Sequence, residues 1–90
     1  MYKLKKTAKF KKDFKRIKKR GYDLDLLYYV VNELVSGNTL DEKYYNHQLT
    51  GDYNGFMECH ITPDWLLIYK IDNNELILTA SRTGTHSDLF

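Results

Sequence analysis

The chain reads as an α+β domain in which a short strand and a pair of helices precede an antiparallel meander. Three observations predict this. Apolar residues recur at helical spacing between Thr7 and Val35, the period changes to two after Tyr53, and the run Trp65 to Tyr69 is almost wholly apolar. Ninety residues suffice for one modest core and not for two, so a single domain, 1–90, is expected.

Tyr2 to Lys6 alternates and predicts a first strand. From Thr7, a fitting N-cap, Phe10, Phe14 and Ile17 lie at i, i+4 and i+7, and Gly21 marks the stop. The stripe is narrow, so lysine and arginine cover most of this helix. Asp23 can cap a second helix whose apolar face is Leu24, Leu27, Tyr28, Val31, Leu34 and Val35, ending at Ser36-Gly37-Asn38. The few residues between the helices predict an antiparallel helical hairpin.

Thr39 to Gly51 has no period and reads as an ordered loop carrying Tyr44, Tyr45, His47 and Leu49. Tyr53 to Ile61 alternates: Met57, Cys59 and Ile61 on the side toward the helices, Phe56, Glu58 and His60 on the other. Thr62-Pro63-Asp64 turns the chain into the run Trp65 to Tyr69, the strand expected at the centre of the sheet, buried on both faces. Asp72-Asn73-Asn74 marks a tight turn, and Leu76 to Thr83 is the hairpin partner.

Charge is unevenly spread. Residues 1–20 hold eleven of the fourteen Lys and Arg residues against one acid, Asp13, and the remaining seventy hold three basic residues against eleven acids. A basic block of this kind either meets a polyanion or is a solvated face. No apolar run approaches a membrane span, and no apolar segment follows the N-terminal lysines, so no span or signal peptide is expected and the cytosol is the expected compartment. The one cysteine, Cys59, suits a reducing compartment and reads as a small buried hydrophobe.

All three histidines lie outside the helices: His47 in the loop, His60 at a strand end, His86 in the tail. In a meander, the end of the second strand and the end of the fourth reach the same edge, so His60 and the segment Arg82 to His86 are expected to converge. Imidazole exchanges protons near neutrality, guanidinium matches phosphate oxygens, and aromatic rings stack on unpaired bases, which together are the parts of a metal-independent ribonuclease. A metal site using the three histidines and Asp64 is the competing use. No short ligand spacing supports it, Arg82 would repel a cation, and neither metal nor cofactor is expected. A non-catalytic nucleic-acid or partner-binding module is a third class.

His47 with Leu49 and Gly51, then Glu58-Cys59-His60-Ile61-Thr62-Pro63-Asp64-Trp65-Leu66-Leu67-Ile68-Tyr69, then Arg82-Thr83-Gly84-Thr85-His86-Ser87-Asp88-Leu89-Phe90, resemble the YafQ branch of the RelE-type bacterial toxins over essentially the whole chain. The resemblance implies a ribosome-associated mRNA endoribonuclease of a type II toxin–antitoxin system, monomeric alone and silenced in a larger complex by its antitoxin. It places the functional set on His47, His60, Asp64, Trp65, Arg82, His86 and Phe90. Members often carry a basic residue where this chain has Asn54 and an arginine where it has Met57. In the expected chemistry His60, or alternatively His47, is the base that activates a 2′-hydroxyl and His86 is the acid. Arg82 answers charge on phosphorus, Asp64 orients an imidazole, Trp65 and Phe90 stack on bases, with core filling the equal alternative for Trp65, and Lys11, Lys12, Lys15 and Lys19 bind RNA.

Overall fold

The computed structural model describes every residue from Met1 to Phe90. Strand β1 (Lys3–Lys6) is followed by helices α1 (Ala8–Lys19) and α2 (Leu24–Val35). After a loop come β2 (His47–Gln48), β3 (Met57–Thr62), β4 (Trp65–Asp72) and β5 (Ile77–Gly84), and the chain closes with a single helical turn, α3 (His86–Leu89). The strands form one sheet in the order β1-β5-β4-β3-β2. The pairs from β2 to β5 are antiparallel, while β1 lies parallel to β5, so the sheet is mixed.

The helices start and stop where their caps dictate. The Thr7 hydroxyl accepts the Phe10 N–H at 3.0 Å and Asp23 accepts the Asp25 N–H at 3.1 Å, supplying partners for amides that have none within the helix. Gly21, at φ 80°, takes the left-handed conformation that turns α1 toward α2. Phe10 and Ile17 from α1 and Leu27, Val30 and Leu34 from α2 pack on one face of the sheet. The buried face of α2 is therefore centred on Val30, with Tyr28 exposed, a rotation from the face the apolar count suggests.

Alternation assigns the two sides of the sheet. Cys59, Ile61, Trp65, Leu67, Tyr69, Leu78 and Ala80 face the helices. Leu66 and Ile68 face the other way and, with Leu89 of the tail, make a small second core flanked by Leu49, Tyr53 and Phe56. Met57 packs against the helical side, as its parity requires.

Four elements differ from the sequence expectation, the first being the helical turn α3 where only a tail was expected. The loop after α2 pairs with β3 through His47 and Gln48, adding an edge strand. Strand β3 begins at Met57 because Gly51–Tyr53 forms a 3-10 turn and Gly55 takes φ 91°. Strand β5 begins at Ile77 because Leu76 adopts φ 54° in leaving the Asp72 turn. Between β4 and β5, Tyr69 pairs with Ala80 but Ile68 pairs with Arg82, so Ser81 is an extra, bulged residue. Its carbonyl accepts the Thr7 hydroxyl at 2.8 Å. The bulge shifts the parity of the strand: Leu78 and Ala80 face the helices, whereas beyond Ser81 it is Thr83 that faces them and Arg82 that faces away.

Candidate active site

The face away from the helices carries the chemistry. Across it the register aligns Arg82, Ile68, Glu58 and His47 in one row and Gly84, Leu66 and His60 in the next. Glu58 and His60 are two residues apart on β3, and His47 is directly opposite Glu58 on β2, so three polar side chains share one face. Glu58 and His60 come together by alternation along one strand, and only strand pairing brings His47 to them.

The Nδ1 atoms of both imidazoles meet backbone carbonyls: His47 that of Tyr45 at 2.8 Å, His60 that of Pro63 at 3.2 Å. A carbonyl only accepts, so each Nδ1 carries a hydrogen and each Nε2 is left to face inward. Both Nε2 atoms point toward Glu58 Oε1, at 3.3 Å from His47 and 3.6 Å from His60. The Glu58 side chain is only 5% exposed. A neutral imidazole would turn a lone pair toward that carboxylate oxygen, an acceptor facing an acceptor. The arrangement is satisfied when a proton, or a cation, sits between them. These three ligand atoms lie within 4.8 Å of one another, a spacing able to hold a metal ion, with both Nδ1–H groups fixed by carbonyls as metal-bound histidines commonly are. Asp64 is not part of this cluster.

His86 joins the row from the tail. Its ring centroid is 6.0 Å from that of His60, which in turn is 6.1 Å from His47, so the expected convergence of the strand end and the tail is present. His86 Nδ1 lies 3.6 Å from Asp64 Oδ1, the nearest charged partner of an imidazole that is 57% exposed. Phe90 continues the line at 6.0 Å from His86 and meets the edge of Tyr53 at 5.6 Å, with 63% of its surface open. At the other end Tyr45, also exposed, stands 4.8 Å from His47 and 5.4 Å from His60. Tyr45 has φ 46°, an uncommon conformation for a non-glycine residue, and its carbonyl is the one that fixes His47.

Arg82 reaches the same face, but its guanidinium is already engaged. Nε and Nη2 donate to the Asp13 carboxylate at 2.7 and 3.2 Å, and Asp13 also accepts the Thr83 N–H at 3.2 Å. That amide lies on the stretch of β5 beyond the reach of β1, where the strand edge has no neighbour. Asp13, 2% exposed, thus closes an open sheet edge and anchors Arg82 at once. The hydrogen bond to Asp13 raises the pKa of Arg82 against the opposing effect of burial.

One expected site residue is elsewhere. Trp65 lies on the helical side, 3% exposed, its indole N–H donated to Thr83 Oγ1 at 2.8 Å and its ring edge-on to Tyr22 at 4.9 Å. It is a core residue with no face available to a base, which decides for core filling and corrects the alternative of RNA stacking. The lysines Lys11, Lys12, Lys15 and Lys19 are exposed on α1. Glu58 is the site residue that sequence reasoning passed over, although its alternation with His60 was visible.

A helical hairpin on one face of a mixed sheet, with a line of imidazoles, a buried carboxylate and exposed rings on the other, defines a small acid–base α+β domain. Residues 2–90 match the family model for the bacterial toxin of the type II toxin–antitoxin system, YafQ, and the chain belongs to that family. It is 36% identical over 85 residues to the mRNA interferase toxin YafQ of Escherichia coli K12, covering 93% of this chain and 90% of the relative. Among solved structures, a metal-bound toxin from Helicobacter pylori is 44% identical with a TM-score of 0.94, each chain covered in full. The E. coli DinJ–YafQ complex is 34% identical with a TM-score of 0.91, covering 100% of this chain and 99% of the other.

Proposed function

We propose that this protein is an mRNA endoribonuclease, the toxin of a toxin–antitoxin pair, cutting by attack of the substrate's own 2′-hydroxyl. The observation that carries this is the row His47, Glu58, His60, His86, Phe90: two inward-facing Nε2 atoms sharing a buried carboxylate, with a third imidazole one ring away. His60, or alternatively His47, takes the 2′-hydroxyl proton at Nε2 when that nitrogen is unprotonated, and Glu58, which faces the same nitrogen, pairs with the resulting imidazolium. The 2′-oxygen bonds to phosphorus, the bond from phosphorus to the 5′-oxygen breaks, and His86 delivers a proton to that oxygen. Arg82 answers the charge developing on the phosphoryl oxygens, Asp64 steadies His86, and Phe90 stacks on a base.

The products are then a 2′,3′-cyclic phosphate, or its 3′-phosphate hydrolysis product, and a free 5′-hydroxyl. The test is cleavage of ribosome-bound mRNA, with a 2′-deoxy nucleotide at the cut site as control. Cutting should cease on the deoxy substrate and fall by about 100-fold or more in His86→Ala, and the rate should be bell-shaped in pH with its basic limb lost in that variant. Products with 5′-phosphate ends, or full activity on the deoxy substrate, would overturn the reading.

A second reading has one observation behind it, the ligand-like spacing of His47, Glu58 and His60. A divalent ion held there would supply Lewis-acid chemistry. Ion and base compete for the same two Nε2 atoms, so the readings separate cleanly. If the imidazoles are the base, EDTA leaves activity intact and added zinc inhibits; loss in EDTA with recovery on adding metal would favour the ion.

Its partners are the ribosome-bound message and an antitoxin. A groove of about 770 Å³ between β1, α1 and α2, lined by Phe10, Phe14, Leu27 and Val31 and edged by Lys11 and Lys15, suits an amphipathic segment with acidic flanks. No helix is long and apolar enough to cross a membrane, and partners of this kind imply the cytoplasm. Expression alone should arrest bacterial growth and co-expression of the antitoxin should restore it.

A further inference from the structure

The general acid is held by almost nothing of its own. His86 is more than half exposed, its nearest charged partner is 3.6 Å away, and it sits on a helix of one turn. A single turn has no independent stability in water, so the position of the imidazole depends on whatever fixes α3.

Asp88 is that fixing point. Its carboxylate Oδ2 accepts the Thr85 N–H at 2.9 Å, while the Thr85 hydroxyl accepts the Asp88 N–H at 3.2 Å, a reciprocal cap. The same carboxylate receives Arg20 in a two-pronged contact, Nη1 to Oδ2 at 2.7 Å and Nη2 to Oδ1 at 3.1 Å, and Arg16 stands at 3.6 Å. Gly84 leaves the room: a Cβ there would meet Asp88 Oδ2 at 2.8 Å, and its φ of 151° disfavours any side chain. Leu89, buried against Leu66 and Ile68, and the edge contact of Phe90 with Tyr53 are the other anchors, and both are apolar. The carboxylate therefore ties the tail to the C-terminal end of the basic helix, 68 residues away in sequence.

We propose that Asp88 and Arg20 are positioning residues for the reaction, a clamp through which α1 sets the place of the His86 imidazole at the leaving oxygen. The proposal rests on His86 being the acid. An orienting contact of this kind matters because a displacement of about 1 Å at a reacting group can cost on the order of 100-fold in rate.

The experiment compares Asp88→Asn, Arg20→Gln, Arg20→Lys and the double variant Asp88→Asn/Arg20→Gln with the wild type. Each is assayed on the natural 5′-oxygen linkage and on a 5′-thio linkage, whose leaving group needs no proton. Asp88→Asn and Arg20→Gln should each lower kcat on the oxygen substrate by roughly 10- to 100-fold with KM little changed, and keep cleavage of the thio substrate. The double variant should be no worse than either single one, and Arg20→Lys should recover part of the loss. Lys18→Gln removes one charge from the same helix without touching Asp88 and controls for weakened RNA binding. Cleavage of the thio substrate also reports that each variant is folded. Unchanged kcat on the oxygen substrate, equal losses on both substrates, or additive losses in the double variant would overturn the clamp. If His86→Ala itself fails to discriminate oxygen from sulfur, the assignment of the acid falls. If His86→Ala discriminates and Asp88→Asn does not, the clamp alone falls.

Discussion

Trp65→Phe should weaken the fold and leave RNA handling alone. The indole is buried against Tyr22, and its N–H has one partner, Thr83 Oγ1 at 2.8 Å, which itself donates to the Leu66 carbonyl at 2.8 Å. Phenylalanine removes two ring carbons, worth about 0.8 kcal/mol each by transfer, and one hydrogen bond worth about 1 kcal/mol net. The expected loss is about 2–3 kcal/mol, or roughly 10–20 °C in Tm for a domain of this size. Thr83→Val keeps the volume but strands the buried indole N–H, at about 1–3 kcal/mol. In the double variant donor and acceptor leave together, so its loss should fall short of the sum by about 1 kcal/mol. Thermal unfolding followed by circular dichroism reads all three, and cleavage assayed well below Tm reads function. Unchanged Tm values together with weaker RNA binding by Trp65→Phe would mean that the ring leaves the core to meet a base.

Replacing Lys11, Lys12, Lys15 and Lys19 together by glutamine should weaken ribosome or RNA association and flatten its salt dependence, by up to about 0.7 in log–log slope for each phosphate no longer neutralised, with turnover of bound message little altered; an unchanged slope would make α1 a merely solvated face. Asp88 is held well below the usual carboxylate range, chiefly by Arg20 and then by the Thr85 N–H. Its contribution is therefore fully present above the unfolded value of about 4 and declines as pH falls below it, so the stability gap between wild type and Asp88→Asn should be flat above about pH 5 and narrow in acid. Burial pushes the Cys59 thiol up to about 12, so iodoacetamide should leave the native protein unmodified at pH 8 and label it only once unfolded.

The elements set by local chemistry were legible. Thr7 and Asp23 cap their helices where the sequence places them, and the two-residue period assigns Met57, Cys59 and Ile61 to one side and Glu58 and His60 to the other. The same parity, carried through the turn, puts Trp65 with Leu67 and Tyr69 on the helical side. Resemblance left that ring between the site and the core, and the alternation already favoured the core. What escaped was long-range. The pairing of His47 with Glu58 rests on a two-residue strand too short for any periodic signal, and the Asp13–Arg82 contact joins residues 69 positions apart. The position of Asp13, three residues after Phe10 and four before Ile17, does put it on the buried stripe, but that spacing names no partner for its carboxylate.

The bulge at Ser81 acts on β5 as a frameshift acts on a message. Before it the strand reads core on the helical side; after it, one count out of phase, the same strand delivers arginine to the site. Deleting that residue would leave composition nearly untouched and exchange the places of Arg82 and Thr83, sending a guanidinium into the packed layer and a threonine to the open face. Two chains can therefore share every other letter of this segment and differ in whether those letters reach the face that carries the histidines, the difference lying in the single residue Ser81.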